Sequence, residues 1–308
     1  MSYSSDVKKE LCDVYSRSVH CRLAELAGII SINGRLEYSD DESFRLIIRT
    51  ENSLLENKII RLLRMIMDIS EDHFVKSNEK EHHRKLIIED KTQIDNIFLK
   101  LKLKKNNTHI EVDNIITQRI CCMKSFLRGA FLTGGSIGNP KKAYQFEIAA
   151  LSEFEAEKLV RILASLHFKS KYVSRRDRFV VYIKDGDTIA GILGILGAVN
   201  SYMVFENERI LKDIRNSVNR EVNCDTANMA KTVNASSKQI DDIKFIEKMI
   251  GLDKLPDNLK IMAEVRLKNP YSSMQELSLL FEPPLGKSGI SHRLRKLSEI
   301  ADGLRNDK

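Results

Sequence analysis

The sequence predicts an α+β domain built from a duplicated half, followed by an all-α module. Three observations carry this. A nine-residue, mostly apolar segment with glycine at its third and last positions occurs twice, at 26–34 and 127–135, and Gly28 and Gly129 are 101 residues apart. Downstream of each copy the same order of strand-like and helix-like patterns recurs. After Tyr202 the composition changes and the remaining patterns are helical.

Each copy of the segment reads as a helix. A glycine inside a helix costs about 1 kcal/mol relative to alanine, so Gly28 and Gly129 suggest that another backbone comes close. Next come strands at 44–48 and 144–148, the second alternating apolar and polar residues with the period of a half-buried strand. Asn57-Lys58-Ile59-Ile60-Arg61-Leu62-Leu63 then matches Glu157-Lys158-Leu159-Val160-Arg161-Ile162-Leu163, 100 residues on. A hairpin ends at 85–88 in one copy and at 179–183 in the other. An apolar helix closes each, near 94–101 and 189–196. The order is helix, hairpin, helix, hairpin, helix, twice, which implies two sheets side by side with helices layered on one face. The expected organisation is a duplicated domain over 1–202, with pseudo-repeats at about 20–101 and 120–200. A linker helix and Asn-rich segment follow over 203–235, and a helical module over 236–308.

The order and the segment Leu26-Ala27-Gly28, with its second copy Leu127-Arg128-Gly129, resemble the LAGLIDADG fold of homing endonucleases. The resemblance implies two motif helices packed at a pseudo-dyad. It also implies an acidic residue before the last glycine of each motif, holding divalent metal for phosphodiester hydrolysis. Hard Mg²⁺ prefers oxygen ligands, and a two-metal site must offset phosphate charge. Here those positions are Asn33 and Gly134, a weak neutral ligand and no side chain. The expectation is a retained fold with no catalytic residue and no metal or cofactor. The alternative is a metal-dependent endonuclease with its carboxylates relocated to Glu25 or Glu37.

Composition is that of an ordinary globular protein, with 30% charged and 42% hydrophobic residues among 308. Tryptophan is absent and aromatics are 6%, which disfavours a single-strand platform that works by base stacking. A net charge of +7 and a pI near 9.0 favour an anionic partner. The five cysteines, at 12, 21, 121, 122 and 224, are odd in number and contain no CxxC; they read as reduced thiols of a cytoplasmic protein. Cys12, His20 and Cys21 invite a metal reading, but no second half-site with zinc spacing is visible, so packing is expected. His82-His83 falls in a charged hairpin and is expected at the surface. The N-terminus lacks the pattern of a signal peptide, and the longest apolar run, 189–199, suits a buried helix rather than a membrane span.

In the linker, Ile210, Ile214, Val218 and Val222 recur every four residues, as in an amphipathic helix. The Asn- and Asp-rich stretch 219–228 then favours caps and turns. It reads as one helix ending and another starting near Ser236, with local side-chain bonding. A DNA-facing loop using Asn228, Lys231 and Asn234 is the functional reading of the same residues.

The C-terminal module begins with Ile240, Ile243, Ile246 and Met249 on one helical face, ending at Gly251. A helix over about 259–268 follows. Ser272 and Ser273 precede Gln275 and Glu276 by three residues, the spacing of a capping box, so another helix starts there and runs through Leu277 and Leu280. Pro283, Pro284 and Gly286 break it. The last helix begins near Lys287 and runs to about 304, with Ile290, Leu294, Leu297 and Ala301 as its buried stripe. Two helices joined by a short turn over about 272–305 form a helix-turn-helix. In such a motif the start of the second helix reads base edges in the major groove, and flanking cations hold phosphates. Ser288, Ser291 and His292 are the candidates for bases. Arg295 joins them because arginine pairs bidentately with guanine. Lys287, Arg293 and Lys296 are assigned to phosphates. Gly286-Lys287-Ser288 is not the end of a P-loop, because Phe281 stands where the first glycine is required.

Three stretches in order are similar to the WhiA family of bacterial regulators: Phe126-Leu127-Arg128-Gly129-Ala130-Phe131-Leu132 with Gly134-Gly135-Ser136, Asn223-Cys224-Asp225 with Ala227-Asn228, and Gly286-Lys287-Ser288-Gly289 with His292-Arg293-Leu294-Arg295-Lys296-Leu297. The resemblance covers nearly the whole chain. It implies a non-catalytic bacterial protein, cytoplasmic and nucleoid-associated, whose partner is double-stranded DNA. It implies no membrane, and it leaves the duplicated domain as a scaffold or a docking face for a partner protein. Members regulate sporulation transcription in some lineages and support cell division and chromosome segregation in others. Abundant Ile, Lys and Asn lean toward the division type. A third reading is an interaction protein of the division machinery for which DNA is secondary.

Overall fold

The computed structural model describes residues 2–38, 44–67, 69, 74–76, 84–105 and 109–306; His82-His83 lies outside them. The chain divides into two compact units, Met1–Asp213 and Ile214–Lys308.

The first unit realises the expected duplication. After α1 (Tyr3–Cys12), the first repeat runs α2 (Val19–Asn33), β1 (Gly34–Tyr38), β2 (Phe44–Thr50), α3 (Ser53–Met67), β3 (Phe74–Lys76), β4 (Arg84–Ile88) and α4 (Lys91–Lys100). A two-stranded ribbon, β5 (Leu103–Lys105) and β6 (Ile110–Val112), leads to the second repeat. That repeat runs α5 (Ile120–Gly134), β7 (Gly135–Ile137), β8 (Phe146–Ala150), α6 (Glu153–Ser165), β9 (Lys171–Arg175), β10 (Arg178–Ile183) and α7 (Gly186–Leu196). The sheets have the same order, β1-β2-β4-β3 and β7-β8-β10-β9, with every pairing antiparallel. The register repeats too, Gly34 facing Ile48 and Gly135 facing Ile148. The strand expected at 144–148 begins two residues later, at Phe146.

The motif helices α2 and α5 cross at their glycines. A methyl group built on Gly28 would overlap the carbonyl of Phe126, and one on Gly129 would overlap the carbonyl of Glu25. The approach is reciprocal, as a pseudo-dyad requires. Leu26, Ala27, Ile29 and Ile30 on one helix, and Phe126, Leu127, Ala130 and Phe131 on the other, are buried. Stretches this apolar on every side, 26–32 and 129–132, can only sit inside. The sheets bring Leu46, Ile48, Leu86 and Ile88 from one repeat, and Phe146, Ile148, Val181 and Ile183 from the other, into the same core.

The helix α8 (Val199–Met249) corrects the expectation of a break at the Asn-rich stretch, since it continues through residues 219–228. Its start is capped from α1: the Glu10 carboxylate accepts from the amides of Asn200 and Ser201 at 2.7 and 2.9 Å. Phe205 anchors one end in the first core, and Ile243 and Ile246 anchor the other in the second. Between them the polar side chains bond along their own helix. The Thr232 hydroxyl donates to the Asn228 carbonyl at 3.0 Å, and the Asn228 amide donates to Cys224 Sγ at 3.6 Å. Local bonding of this kind can end a helix or decorate one.

The second unit packs the end of α8 with α9 (Asp257–Lys268), α10 (Met274–Leu279) and α11 (Lys287–Asn306). Gly251 turns the chain after α8 at φ 80°, a conformation glycine adopts without strain. Of the two candidate caps, Ser273 is used. Its hydroxyl accepts from the Glu276 amide at 3.2 Å, and its own amide donates to the Glu276 carboxylate at 2.7 Å. Ile290, Leu294, Leu297 and Ala301 are buried as expected, against Ile243, Ile246, Leu259, Met262 and Leu277.

Candidate nucleic-acid interface

With one face of α11 committed to the core, the opposite face is set by helical geometry. Ser288, Ser291, His292, Arg295 and Lys296 are exposed on it, whereas Lys287, three residues before the buried Ile290, is exposed at the start of the helix in line with the apolar stripe. The Gly286 carbonyl accepts the first helical bond, from the Ile290 amide at 3.1 Å. Lys287 and Ser288 therefore lie in the first turn, where the helix dipole adds partial positive charge. Arg295 pairs with Glu299 one turn on, Nε to Oε1 at 3.4 Å, with both side chains largely in solvent.

Arg293 departs from the outward placement. It is half-buried, with its guanidinium 5.8 Å from the ring centre of Phe281. Position 293 neighbours the buried Leu294 and Leu297 rows, and an arginine stem covers apolar surface readily.

A groove of about 330 Å³ is lined by Lys231, Gln239, Arg266, Ser273, Gln275 and Lys287. It sets Lys231 of α8 beside the start of α11, although the two lysines are 56 residues apart. Asn228 and Asn234, grouped with Lys231 by the sequence, are exposed and do not line it. Arg266 is buried there, donating to the Ser272 carbonyl at 2.5 Å.

In the first unit the positions for nuclease acids hold no carboxylate. The Asn33 side chain donates to the Arg49 carbonyl at 2.7 Å. At Gly134 a β-carbon would stand 2.5 Å from an Ile32 methyl and 2.6 Å from the Ala149 carbonyl, so packing closes the position.

Glu25, a candidate relocated acid, is fully buried and saturated with cations. Arg128 grips it bidentately, Nε to Oε1 at 2.9 Å and Nη2 to Oε2 at 2.7 Å, and Lys58 Nζ lies 2.9 Å from Oε1. The cations are satisfied in turn. Lys58 donates to the carbonyls of Leu11 and Val14, and Arg128 to the Leu196 carbonyl and the Ser16 hydroxyl. Three of the carboxylate's four acceptor positions are thus taken by two cations, whose charge opposes a metal ion at the same group. Glu37, on β1, is exposed and paired with Arg45 at 3.0 Å.

A different set of ligating side chains does meet. His20 and Cys21 at the start of α2 face Cys121 and Cys122 at the start of α5, with all four ligand atoms within 4.8 Å of one another. This corrects the reading that no second half-site exists, since Cys121-Cys122 supplies one. Cys12 is not in the group, and all five cysteines are free thiols. Burial, with Cys121 and Cys21 adding to it, pushes the Cys122 thiol up to about 12.

Comparison with known proteins follows the same division of the chain. Residues 19–104 match the WhiA N-terminal LAGLIDADG-like domain, 123–215 the WhiA LAGLIDADG-like domain and 218–301 the WhiA C-terminal HTH domain. A protein of Lachnoclostridium phytofermentans named "Probable cell division protein WhiA" is 40% identical over 312 residues, covering 99% of this chain and all of its own length. The chain belongs to the WhiA family. The WhiA protein of Clostridium novyi, of the same name, is 39% identical and spans 100% of this chain and 99% of its own. The crystal structure of full-length WhiA from Thermatoga maritima shares the fold, with a TM-score of 0.59 at 24% identity over 98% of both chains. No helix among the described residues is long and apolar enough to cross a membrane.

Proposed function

We propose that this WhiA-family protein binds double-stranded DNA through α11 without cutting it, and that it serves bacterial cell division and chromosome segregation from the nucleoid. The observation that carries the reading is the division of α11 into a buried apolar stripe and a face bearing Ser288, Ser291, His292, Arg295 and Lys296, with Lys287 exposed at the start of the helix. In this reading Ser288, Ser291, His292 and Arg295 meet base edges. Lys287 and Lys296 hold phosphates, and Lys231 joins them from α8. Arg293 reaches a phosphate while its stem stays on Phe281. The names given to the relatives support the division role. The absence of carboxylates at Asn33 and Gly134, and the neutralised Glu25, support a LAGLIDADG-like domain that is scaffold or docking face rather than nuclease.

The test is binding of labelled genomic fragments by fluorescence anisotropy across a salt series. Four phosphate contacts give a log–log slope of about −3.6 on duplex DNA. Arg295→Ala/Lys296→Ala is the informative variant, because Arg293→Ala would also disturb packing on Phe281. It should weaken binding at least tenfold and flatten the slope by about 1 per lost phosphate contact. Unchanged affinity and slope overturn the reading. Nicking of plasmid by the purified chain with Mg²⁺ or Mn²⁺ would overturn its non-catalytic part.

A further inference from the structure

The 101-residue offset that relates Gly28 to Gly129 also relates His20 to Cys121 and Cys21 to Cys122. The pseudo-dyad that crosses α2 and α5 at their glycines therefore gathers these four side chains at the helices' first turns. His20 Nδ1 lies 3.2 Å from Cys122 Sγ, 3.3 Å from Cys21 Sγ and 4.0 Å from Cys121 Sγ. In tetrahedral zinc sites, Zn–S of about 2.3 Å and Zn–N of about 2.0–2.1 Å set ligand atoms roughly 3.6–3.8 Å apart. The quartet stands close to that spacing.

We propose that His20, Cys21, Cys121 and Cys122 form a Cys₃His site for a soft divalent metal ion, with zinc the fitting occupant. Three sulfurs and an imidazole nitrogen are the donor set such an ion selects over magnesium or calcium. Binding displaces three thiol protons to solvent and leaves Zn²⁺ with three thiolates and a neutral imidazole, one net negative charge. Two helix N-termini favour that charge, and neither α2 nor α5 has a side-chain hydrogen bond at its N-cap. Cys21 and Cys122 are buried, His20 is half-buried and Cys121 is exposed. A cavity of about 310 Å³ lined by His20, Leu23, Ile116, Arg119 and Cys122 gives an entry path.

Four protein ligands leave no open coordination position, so the ion is structural. The positions of the nuclease acids, Asn33 and Gly134, lie thirteen residues further along the same helices, about 20 Å away at 1.5 Å per residue. The ion would fasten the two repeats where α2 and α5 begin. A disulfide between two of the cysteines is the competing chemistry, but it uses two sulfurs and gives the imbedded imidazole, within 4.0 Å of all three, no part.

The full-length protein, expressed in zinc-supplemented medium and purified under reducing conditions without chelator, should contain about one zinc per chain by elemental mass spectrometry. Cobalt exchanged into it should show the absorption of a tetrahedral thiolate complex. Cys121→Ser, at an exposed side chain, should remove most of the metal while circular dichroism keeps the helix content. Cys224→Ser, at the exposed cysteine of α8, should keep the full amount. A strong chelator should lower the melting temperature of the parent chain and leave that of Cys121→Ser unmoved. The proposal is overturned by a reduced protein that takes up no zinc or cobalt, by full occupancy in Cys121→Ser, or by non-reducing peptide mass spectrometry that finds a disulfide within the quartet in place of metal.

Discussion

Lys58 and Lys158 occupy the same place in the two repeats, and each is only 1% exposed, yet their surroundings differ. Lys58 meets the Glu25 carboxylate, which Arg128 also holds across the dyad. Lys158 donates to the Val112 carbonyl, and its neighbour on α6 is Glu155, fully buried with no side chain hydrogen-bonded to its carboxylate among the described residues. Duplication kept the lysine and changed what answers it. The first repeat built a closed ionic knot at the dyad; the second left a carboxylate underpaired. A buried charge is tolerable when every partner is present and burdensome when one is missing. The two repeats present both cases on one scaffold.

The largest expected effect comes from opening the knot. Glu25→Gln leaves Arg128 and Lys58 as uncompensated buried cations, and breaking a buried network this way costs about 3–5 kcal/mol. Urea denaturation should show the midpoint collapsing with little change in slope. Replacing the whole knot, with Glu25→Leu, Lys58→Met and Arg128→Met together, should recover most of the loss, since matched apolar replacements of buried ion pairs are often neutral or stabilising. A single variant that loses under 1 kcal/mol would show that the knot does not hold the dyad.

Glu155 should respond in the opposite direction. Burial, only partly offset by Lys158, lifts its carboxyl to about 7. The folded state thus binds a proton that the unfolded chain releases near 4.5. Stability through this group is undiminished below about pH 4.5, falls as pH rises, and levels off above about 7. Glu155→Gln removes the penalty, so the gain should be on the order of 2–3 kcal/mol at pH 8.5 and should vanish at pH 4. A gain independent of pH would mean that packing, not ionisation, separates the two repeats.

How much of this contrast was legible in sequence follows from how local each signal is. The Gly28 and Gly129 pair, the period-two strands and the Ser273 capping box are written within a few residues, and the structure follows them. The β5–β6 ribbon and α1 are short and carry no strong period. The break expected at 219–228 failed because the same Asn and Thr bonds that end helices can run along one. The knot and the His20–Cys122 cluster join side chains about 100 residues apart, beyond any local pattern. Yet the offset that aligned the glycines also aligned the cysteines, and applying it to ligating residues would have revealed the cluster. Lys231 and Lys287 had no such offset, and only the folding of the second unit brings both to one groove.

The smallest expected change in stability falls on α11, where charge lies outside rather than within. Arg295 and Glu299 form an exposed pair one helical turn apart, and such pairs contribute about 0.3–0.5 kcal/mol. Glu299→Ala should therefore move the denaturation midpoint barely beyond error. Its effect on duplex binding should be larger and of opposite sign. The substitution releases the Arg295 guanidinium and removes a negative charge from the face proposed to meet DNA, so affinity at low salt should rise a few-fold. The gain should shrink as salt increases, because the Debye length falls from about 30 Å at 0.01 M to about 10 Å at 0.1 M. Charge buried at the dyad would then govern folding at fixed binding, and charge on α11 would govern binding at fixed folding. A Glu299→Ala protein that loses stability without gaining affinity would place α11 with the first case and dissolve the distinction.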